Sequence, residues 1–293
     1  MIKVRNPAVA GQFYEGTKDR LIETIKECFL DSRGPGKIPT ISNGDKQLKG
    51  VVVPHAGFIY SGAIAAYSYE FLSKNGFADT FIILGPNHTG IGSGISIMTE
   101  GEWLTPLGKV PINEDLGKKI FKDIIDKDDN AHMYEHSIEV QLPFLQFIAS
   151  EKKFDFVPIC MGMQDIKTSE EVGKIISNAI EESDRKIVIV SSSDFSHAGF
   201  NYMSMPPEGM RVDEYASKQD NLAIEKILKL NAEELVNTVQ QNNITMCGYG
   251  PVAAMLTASK ILGANKAELL KYGTSYEVAP SSSCVGYGAI AVY

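Results

Sequence analysis

Three short apolar runs in this chain each end within a few residues at a histidine followed by a small residue or glycine. They read VVVPHAG at Val51–Gly57, FIILGPNHTG at Phe81–Gly90 and IVIVSSSDFSHAG at Ile187–Gly199. Imidazole is the commonest metal ligand and the side chain that exchanges protons near neutral pH. Runs of Val and Ile bounded by Gly, Pro and Ser read as strands, and runs this apolar suit strands covered on both faces. In an open α/β sheet, ligands bind beyond the carboxyl ends of the strands. His55, His88 and His197 are therefore expected to converge at one rim. The chain has only five histidines, so placing three there predicts a metal or acid–base site.

Each residue also has a plainer reading. His55 follows its strand directly, with Pro54 fixing the entering backbone and Gly57 letting the chain turn; alternatively it is a turn histidine bonded to backbone. His88 sits in a similar turn, where Asn87 and the glycines favour tight backbone. Asp194 and His197 are three apart and close enough to hydrogen-bond if the loop turns, which would fix the imidazole tautomer and raise its basicity. Asp194 would otherwise cap the turn.

The two remaining histidines lie in NAHMYEHSIEVQLPFL, where His132 to His136 spells H-x-x-E-H. That zinc pattern needs a continuous helix, so that residues four apart share a face. The upstream Asp128, Asp129 and Asn130 suggest that the helix begins near Tyr134, leaving His132 in the loop as a surface residue and His136, with Glu139 on the same face, entering the site from the side. Cys247, in TMCGYGP, precedes a helix N-terminus, a setting that can depress a thiol pKa and make a ligand or nucleophile; the other reading is a small buried residue. Cys28, Cys160 and Cys284 read as core.

The elements that must hold these residues alternate between helix and strand. Helical spacing covers Asp19–Phe29, and Ser32–Lys49 reads as a surface loop. Gly50–Val53, a helix near Ala63–Lys74 and Thr80–Leu84 form a strand–helix–strand crossover. Gly94–Met98 and Gly108–Pro111 are expected to pair as a ribbon around Trp103. Helices follow near Glu114–Asp126 and Tyr134–Ala149, the latter kinked or staggered at Pro143. After a strand at Phe154–Cys160 comes a helix near Ser169–Glu182 with Thr168 as its cap, then the strand Lys186–Ser191. Three helices near Met210–Lys229, Ala232–Gln241 and Pro251–Leu262 precede strands at Glu268–Val278 and Val285–Val292. Asn231 is a natural N-cap with Glu234 three residues on. No long linker divides the chain, so residues 1–293 are expected to form one α/β domain with a central mixed, largely parallel sheet flanked by helices.

Composition narrows the function classes. At 293 residues, 44% hydrophobic and 22% charged, the chain is an ordinary globular protein able to bury a substantial core. Its net charge of −8 argues against non-specific nucleic-acid binding, which needs clustered Lys and Arg. No stretch approaches the roughly 20 apolar residues that span a bilayer, and the start MIKVRNPAVAGQFYEG lacks a secretory core. Four scattered cysteines without a CxxC pair suit a reducing compartment. A cytoplasmic location is expected.

Taken in order, RNPAVAGQFY (Arg5–Tyr14), VPHAGFIYSG (Val53–Gly62), GPNHTG (Gly85–Gly90), WLTPLG (Trp103–Gly108), EHSIEVQLPFL (Glu135–Leu145), SSDFSH (Ser192–His197) and CGYGP (Cys247–Pro251) resemble the Memo family over essentially the whole chain. This is the protein B component of the AmmeMemoRadiSam set. The family in turn resembles the class III extradiol ring-cleavage dioxygenases, in which two histidines and a glutamate bind non-haem Fe(II). The resemblance implies that His55 and His88 are metal ligands, His197 a catalytic base and His136 a further pocket histidine. Where the dioxygenases place glutamate, this family places cysteine, here Cys247. A thiolate favours softer metals such as Cu(I) or Zn, though iron remains open. The resemblance thus implies a pocket and a metal. The convergence of His55, His88 and Cys247, with His197 as general base, makes a metal-dependent redox enzyme of dioxygenase type the first expectation, and a non-catalytic metal- or peptide-binding protein using the same pocket the alternative. Eukaryotic members are linked to receptor signalling, peptide binding and copper or iron handling, and prokaryotic members to an AMMECR-type protein and a radical SAM enzyme. A zinc metallopeptidase built on His132 and His136 is a third reading.

Overall fold

The apolar runs form strands whose alternate side chains enter two different cores. The computed structural model describes residues 3–293. The first part of the chain forms β1 (Val4–Arg5), α1 (Lys18–Leu30), β2 (Gly50–Val53), α2 (Phe58–Lys74), β3 (Thr80–Pro86), β4 (Ile95–Ile97), β5 (Glu102–Thr105) and β6 (Gly108–Pro111). The middle holds α3 (Glu114–Ile120), β7 (Asp126–Lys127), α4 (Asn130–Met133), α5 (Leu142–Ala149), β8 (Asp155–Met161), α6 (Ile166–Glu181), β9 (Ile187–Ser192) and β10 (His197–Gly199). It closes with α7 (Val212–Leu228), α8 (Ala232–Gln241), α9 (Tyr249–Ile261), β11 (Ala267–Thr274) and β12 (Ser283–Val292).

Among the described residues, nine strands make the main sheet, in the order β10-β12-β2-β9-β3-β8-β4-β7, with β11 on β12. The central four, β2, β9, β3 and β8, are parallel, while β12 and β4 flank them antiparallel. The sheet is therefore mixed with a parallel centre. Val51, Val53, Phe81 and Ile83 pack with residues of α1, α2 and α5 on one face. Val52, Ile82, Leu84 and Ile189 pack with α6, α8 and α9 on the other. Helices cover both faces, which is why these strands read as unbroken apolar runs rather than alternating ones.

Because β2, β3 and β9 run parallel, their carboxyl ends share one rim, and the histidine turns lie there. β9 lies between β2 and β3, so the crossover joins strands that are not neighbours.

Several elements differ from the sequence reading. The ribbon pairs β5 with β6, placing Trp103 on β5 itself, whereas β4 joins the main sheet beside β8. The helix expected at Ala63 begins at Phe58, and α3 ends at Ile120 rather than Asp126. Asp165, not Thr168, caps α6, its side chain accepting the Thr168 N–H. Asn231 caps α8 as expected by accepting from Glu234 N–H.

The largest difference concerns Tyr134–Ala149. No single helix spans it: α4 ends at Met133, and α5 begins at Leu142 with Pro143 in its first turn. Proline is at ease there because the first-turn N–H has no intrahelical partner to lose. The interruption leaves Glu135 and His136 on a turn at the rim. Gly85, near the end of β3, admits that turn: a Cβ there would stand 2.4 Å from Ser137 Oγ.

Candidate metal centre

His55 follows β2 after Pro54, and its ring is almost completely buried. Nδ1 lies 2.9 Å from Ser192 Oγ, leaving Nε2 to face Cys247 Sγ at 3.1 Å. His88, two residues past β3, is fixed twice by one carboxylate. Its N–H donates to Glu135 Oε2 at 2.6 Å, and its Nδ1 lies 2.9 Å from Glu135 Oε1. A carboxylate can only accept, so His88 Nδ1 carries the proton and Nε2 offers a lone pair. Such a carboxylate–histidine pair is the usual outer support of a metal ligand.

Cys247 arrives from the segment ahead of α9. Gly248 lets that segment lie against β9, since a Cβ would stand 2.6 Å from Ser192 O, and its N–H donates to Ser193 Oγ at 3.0 Å. One ligand atom each from His55, His88 and Cys247 fall within 4.8 Å of one another. A second group of this kind, His88, Glu135 and His136, shares His88. Two imidazoles and a sulfur suit Zn, Cu(I) or iron, and the outer hydrogen bonds leave the nitrogens aimed inward. The residues present fit a transition metal.

Burial favours the neutral form of His55 and of His136. Burial, reinforced by the neighbouring histidines, holds His55 well below the ordinary histidine value. Burial likewise brings His136 down to about 4. Burial works to raise Glu135, but the His88 hydrogen bond and the His88 and His136 charges outweigh it and hold the carboxyl at about 2. The Cys247 thiol runs against expectation. Burial, and then the Asp194 charge, push it well above the ordinary value despite the helix that follows. A bound cation would supply the positive charge that ionises it.

Asp194 does not orient His197. Its Oδ1 accepts the backbone N–H of His55 at 2.7 Å and of Ala56 at 3.3 Å, and burial raises its pKa. His197 is instead held by Thr245, whose Oγ1 accepts the His197 N–H at 2.7 Å and donates to its carbonyl at 2.8 Å. Nδ1 lies 3.0 Å from Thr245 O and 3.1 Å from Phe195 O. Two carbonyls can only accept, so the basic nitrogen of His197 is Nε2. His136 stacks on His88 with centroids 4.6 Å apart and meets His55 edge-on at 5.4 Å. The four histidines and Asp194 line one cleft of about 570 Å³, walled in part by Phe13, Tyr60 and Tyr202.

His132 is not a surface residue. It lies on α4, fully buried against Trp103, with no hydrogen-bond partner on either ring nitrogen. It belongs to neither donor group, and the break after Met133 removes the helix that H-x-x-E-H requires. The peptidase reading fails on both counts. Cys28, Cys160 and Cys284 are buried as expected.

Sequence reading missed Glu135 as the partner of His88, Ser192 as the partner of His55 and Thr245 as the partner of His197. Glu139, expected to enter the site beside His136, instead forms a buried pair with Arg5, which sequence reading missed. Arg5 donates to the carbonyls of His132 at 3.0 Å and Glu135 at 2.7 Å, while Glu139 accepts from Ala8 N, Val9 N and Tyr14 OH. These contacts clamp the N-terminal segment against the turn that carries His136.

Comparison with known proteins gives the family and the fold. A family model described as Memo-like protein matches residues 5–291. A MEMO1 family protein of Methanopyrus kandleri is 44% identical over 289 residues, 98% of each chain. Another, from Methanocaldococcus jannaschii, is 46% identical over 300 residues covering both chains entirely. An uncharacterized protein of Escherichia coli K12 shares the fold at TM-score 0.52 and 12% identity, over 83% of this chain and 99% of that one.

Proposed function

This chain belongs to the Memo-like family, and on that premise we propose that it is a metal-dependent redox enzyme of dioxygenase type acting on a small molecule. The observation that carries the reading is the donor set of His55, His88 and Cys247 beside a cleft large enough for a substrate. When bound, the metal would supply Lewis acidity, and Fe(II) or Cu would add one-electron chemistry that Zn lacks.

This chain's own residues would do the rest. His55 and His88 offer ring nitrogens on rigid strand ends, and Cys247 a sulfur. His197, with Nδ1 committed to backbone carbonyls, keeps Nε2 free to take a substrate proton. His136, held neutral by burial and stacked beside His88, would offer a bound substrate a hydrogen bond. Phe13, Tyr60 and Tyr202 would hold an apolar ring and exclude water. Asp194 supports His55 through its backbone.

The test is protein prepared anaerobically without an affinity tag, analysed for metal, loaded with Fe(II) and screened for oxygen uptake with catechols and other small aromatics. Turnover that disappears in His197→Ala supports the enzyme reading. Stoichiometric metal without turnover would favour the second reading, a metal- or peptide-binding protein. That reading draws on the sulfur ligand and on the exposed Phe200, Met203 and Met205 near Tyr202, an adaptable surface for a peptide.

As partners, an AMMECR-type protein and a radical SAM enzyme follow from the family resemblance, and co-purification would test them. No described helix is long and apolar enough to cross a membrane. The free cysteines favour a reducing cytoplasm.

A further inference from the structure

His55 differs from the other rim histidines in what its Nδ1 meets. His88 faces a carboxylate and His197 faces two carbonyls, groups that only accept. His55 faces the hydroxyl of Ser192, which can donate or accept. The contact alone leaves two tautomers open, and only one of them puts the lone pair on Nε2.

The surroundings decide it. Gln141 Nε2 lies 3.1 Å from the carbonyl oxygen of Pro54 and 2.8 Å from Ser192 Oγ. A carbonyl cannot donate, so the amide nitrogen, not the oxygen, faces Pro54, and its second hydrogen goes to Ser192. Gln141 Oε1 is left to accept from the Tyr69 hydroxyl, which completes the amide. Ser192 Oγ also lies 2.6 Å from the carbonyl oxygen of Ser137. The single hydroxyl hydrogen is spent there. Its two lone pairs then receive Gln141 and His55, and Ser192 has no hydrogen left to give. The hydrogen between Ser192 and His55 must belong to Nδ1.

We infer that Ser192 is a positioning residue that fixes His55 as the Nδ1–H tautomer and so turns the Nε2 lone pair toward Cys247 and the metal site. Direction is imposed from outside by two backbone carbonyls, those of Pro54 and Ser137, with Tyr69 locking the amide between them. Ser192, Gln141, Tyr69 and His55 are all buried, so bulk water does not compete for these bonds. The consequence for affinity rests on the reading of His55 as a ligand; the tautomer itself does not.

The test uses the full chain, metal-free, with ¹⁵N-labelled histidine, the His55 signals being assigned from their loss in His55→Gln. At neutral pH the wild-type ring should show a protonated Nδ1 and an unprotonated Nε2. Ser192→Ala removes the acceptor and should shift the ring toward the Nε2–H form, with zinc affinity falling about 10–100-fold, the usual effect of losing an outer partner. Ser191→Ala is the control. It deletes the hydroxyl one position earlier in β9, buried and without a hydrogen-bond partner, and should change neither quantity. A wild-type ring protonated at Nε2 overturns the inference whatever the variants do. So does a Ser192→Ala protein that keeps Nδ1–H. Wild-type protein that shows Nδ1–H yet binds none of zinc, Cu(I) and Fe(II) would uphold the tautomer and refute the metal reading instead.

Discussion

Asp194 holds His55 by its backbone: Oδ1 accepts the His55 N–H at 2.7 Å, while Oδ2 stands 4.0 Å from the ring nitrogen Nε2. The carboxylate is a bracket between the loop after β9 and the turn after β2. Asp194→Ala leaves the His55 and Ala56 N–H groups without their acceptor and should cost about 1–3 kcal/mol. Asp194→Asn keeps an acceptor oxygen and should retain most of that stability. Urea unfolding of both variants checks this, and equal losses would contradict the bracket role.

Cys247→Ser replaces sulfur with a harder, smaller donor at nearly unchanged volume. Its zinc affinity, measured by chelator competition, should drop by more than the roughly 10–100-fold typical of an outer partner, with the circular dichroism spectrum preserved. Cys284, on β12 and outside both donor groups, supplies the control: Cys284→Ser should bind zinc as wild type does.

Acid should weaken the protein through His132. Burial lowers this histidine from 6.5 to about 4, so the neutral ring is the one that folds. The associated stability is complete above pH 6.5, where the unfolded chain is also neutral, and is lost as pH falls toward 4. The gap corresponds to roughly 3 kcal/mol. His132→Phe cannot take up the proton. Its unfolding free energy should therefore fall less than that of wild type between pH 7 and pH 4, and parallel curves would refute the assignment.

Arg5 and Glu139 form a buried ion pair. Removing one partner strands the other, so Arg5→Met should destabilise by about 3–5 kcal/mol. Adding Glu139→Gln removes the stranded charge and should recover part of the loss. A double-mutant cycle in urea measures the coupling; strictly additive losses would mean that the two charges do not support each other.

The fold was legible where one local rule governed an element. The central strands are apolar on both faces because helices cover both, and Val51–Val53 and Phe81–Leu84 declare that directly. Their shared direction then brought His55 and His88 to one rim, with ring centroids 5.1 Å apart. What stayed hidden depended on partners distant in sequence. Glu135 is 47 residues from His88, and Thr245 is 48 from His197, so no spacing pattern could pair them. Asp194, three residues from His197, looked like its partner because proximity in sequence was the only clue. His132 looked exposed because its neighbours Asp128, Asp129 and Asn130 are polar, yet the short α4 turns its ring inward against Trp103. Helical periodicity across Tyr134–Ala149 concealed the break that delivers His136.

The place of β9 between β2 and β3 also sets a sequence of events for a chain that emerges from the ribosome amino end first. β2 and β3 are made early but have no ladder with each other; each is joined to β9, which ends at Ser192. His55 and His88 therefore lack the strand that spaces them until about two thirds of the chain has been synthesised, and Cys247 follows later still. A metal ion meeting the nascent chain would find His55 and His88 not yet spaced by β9 and without the sulfur of Cys247. Any ion that these three residues would hold together could then be loaded only onto a nearly complete chain, so the three-donor set is a property of the finished protein.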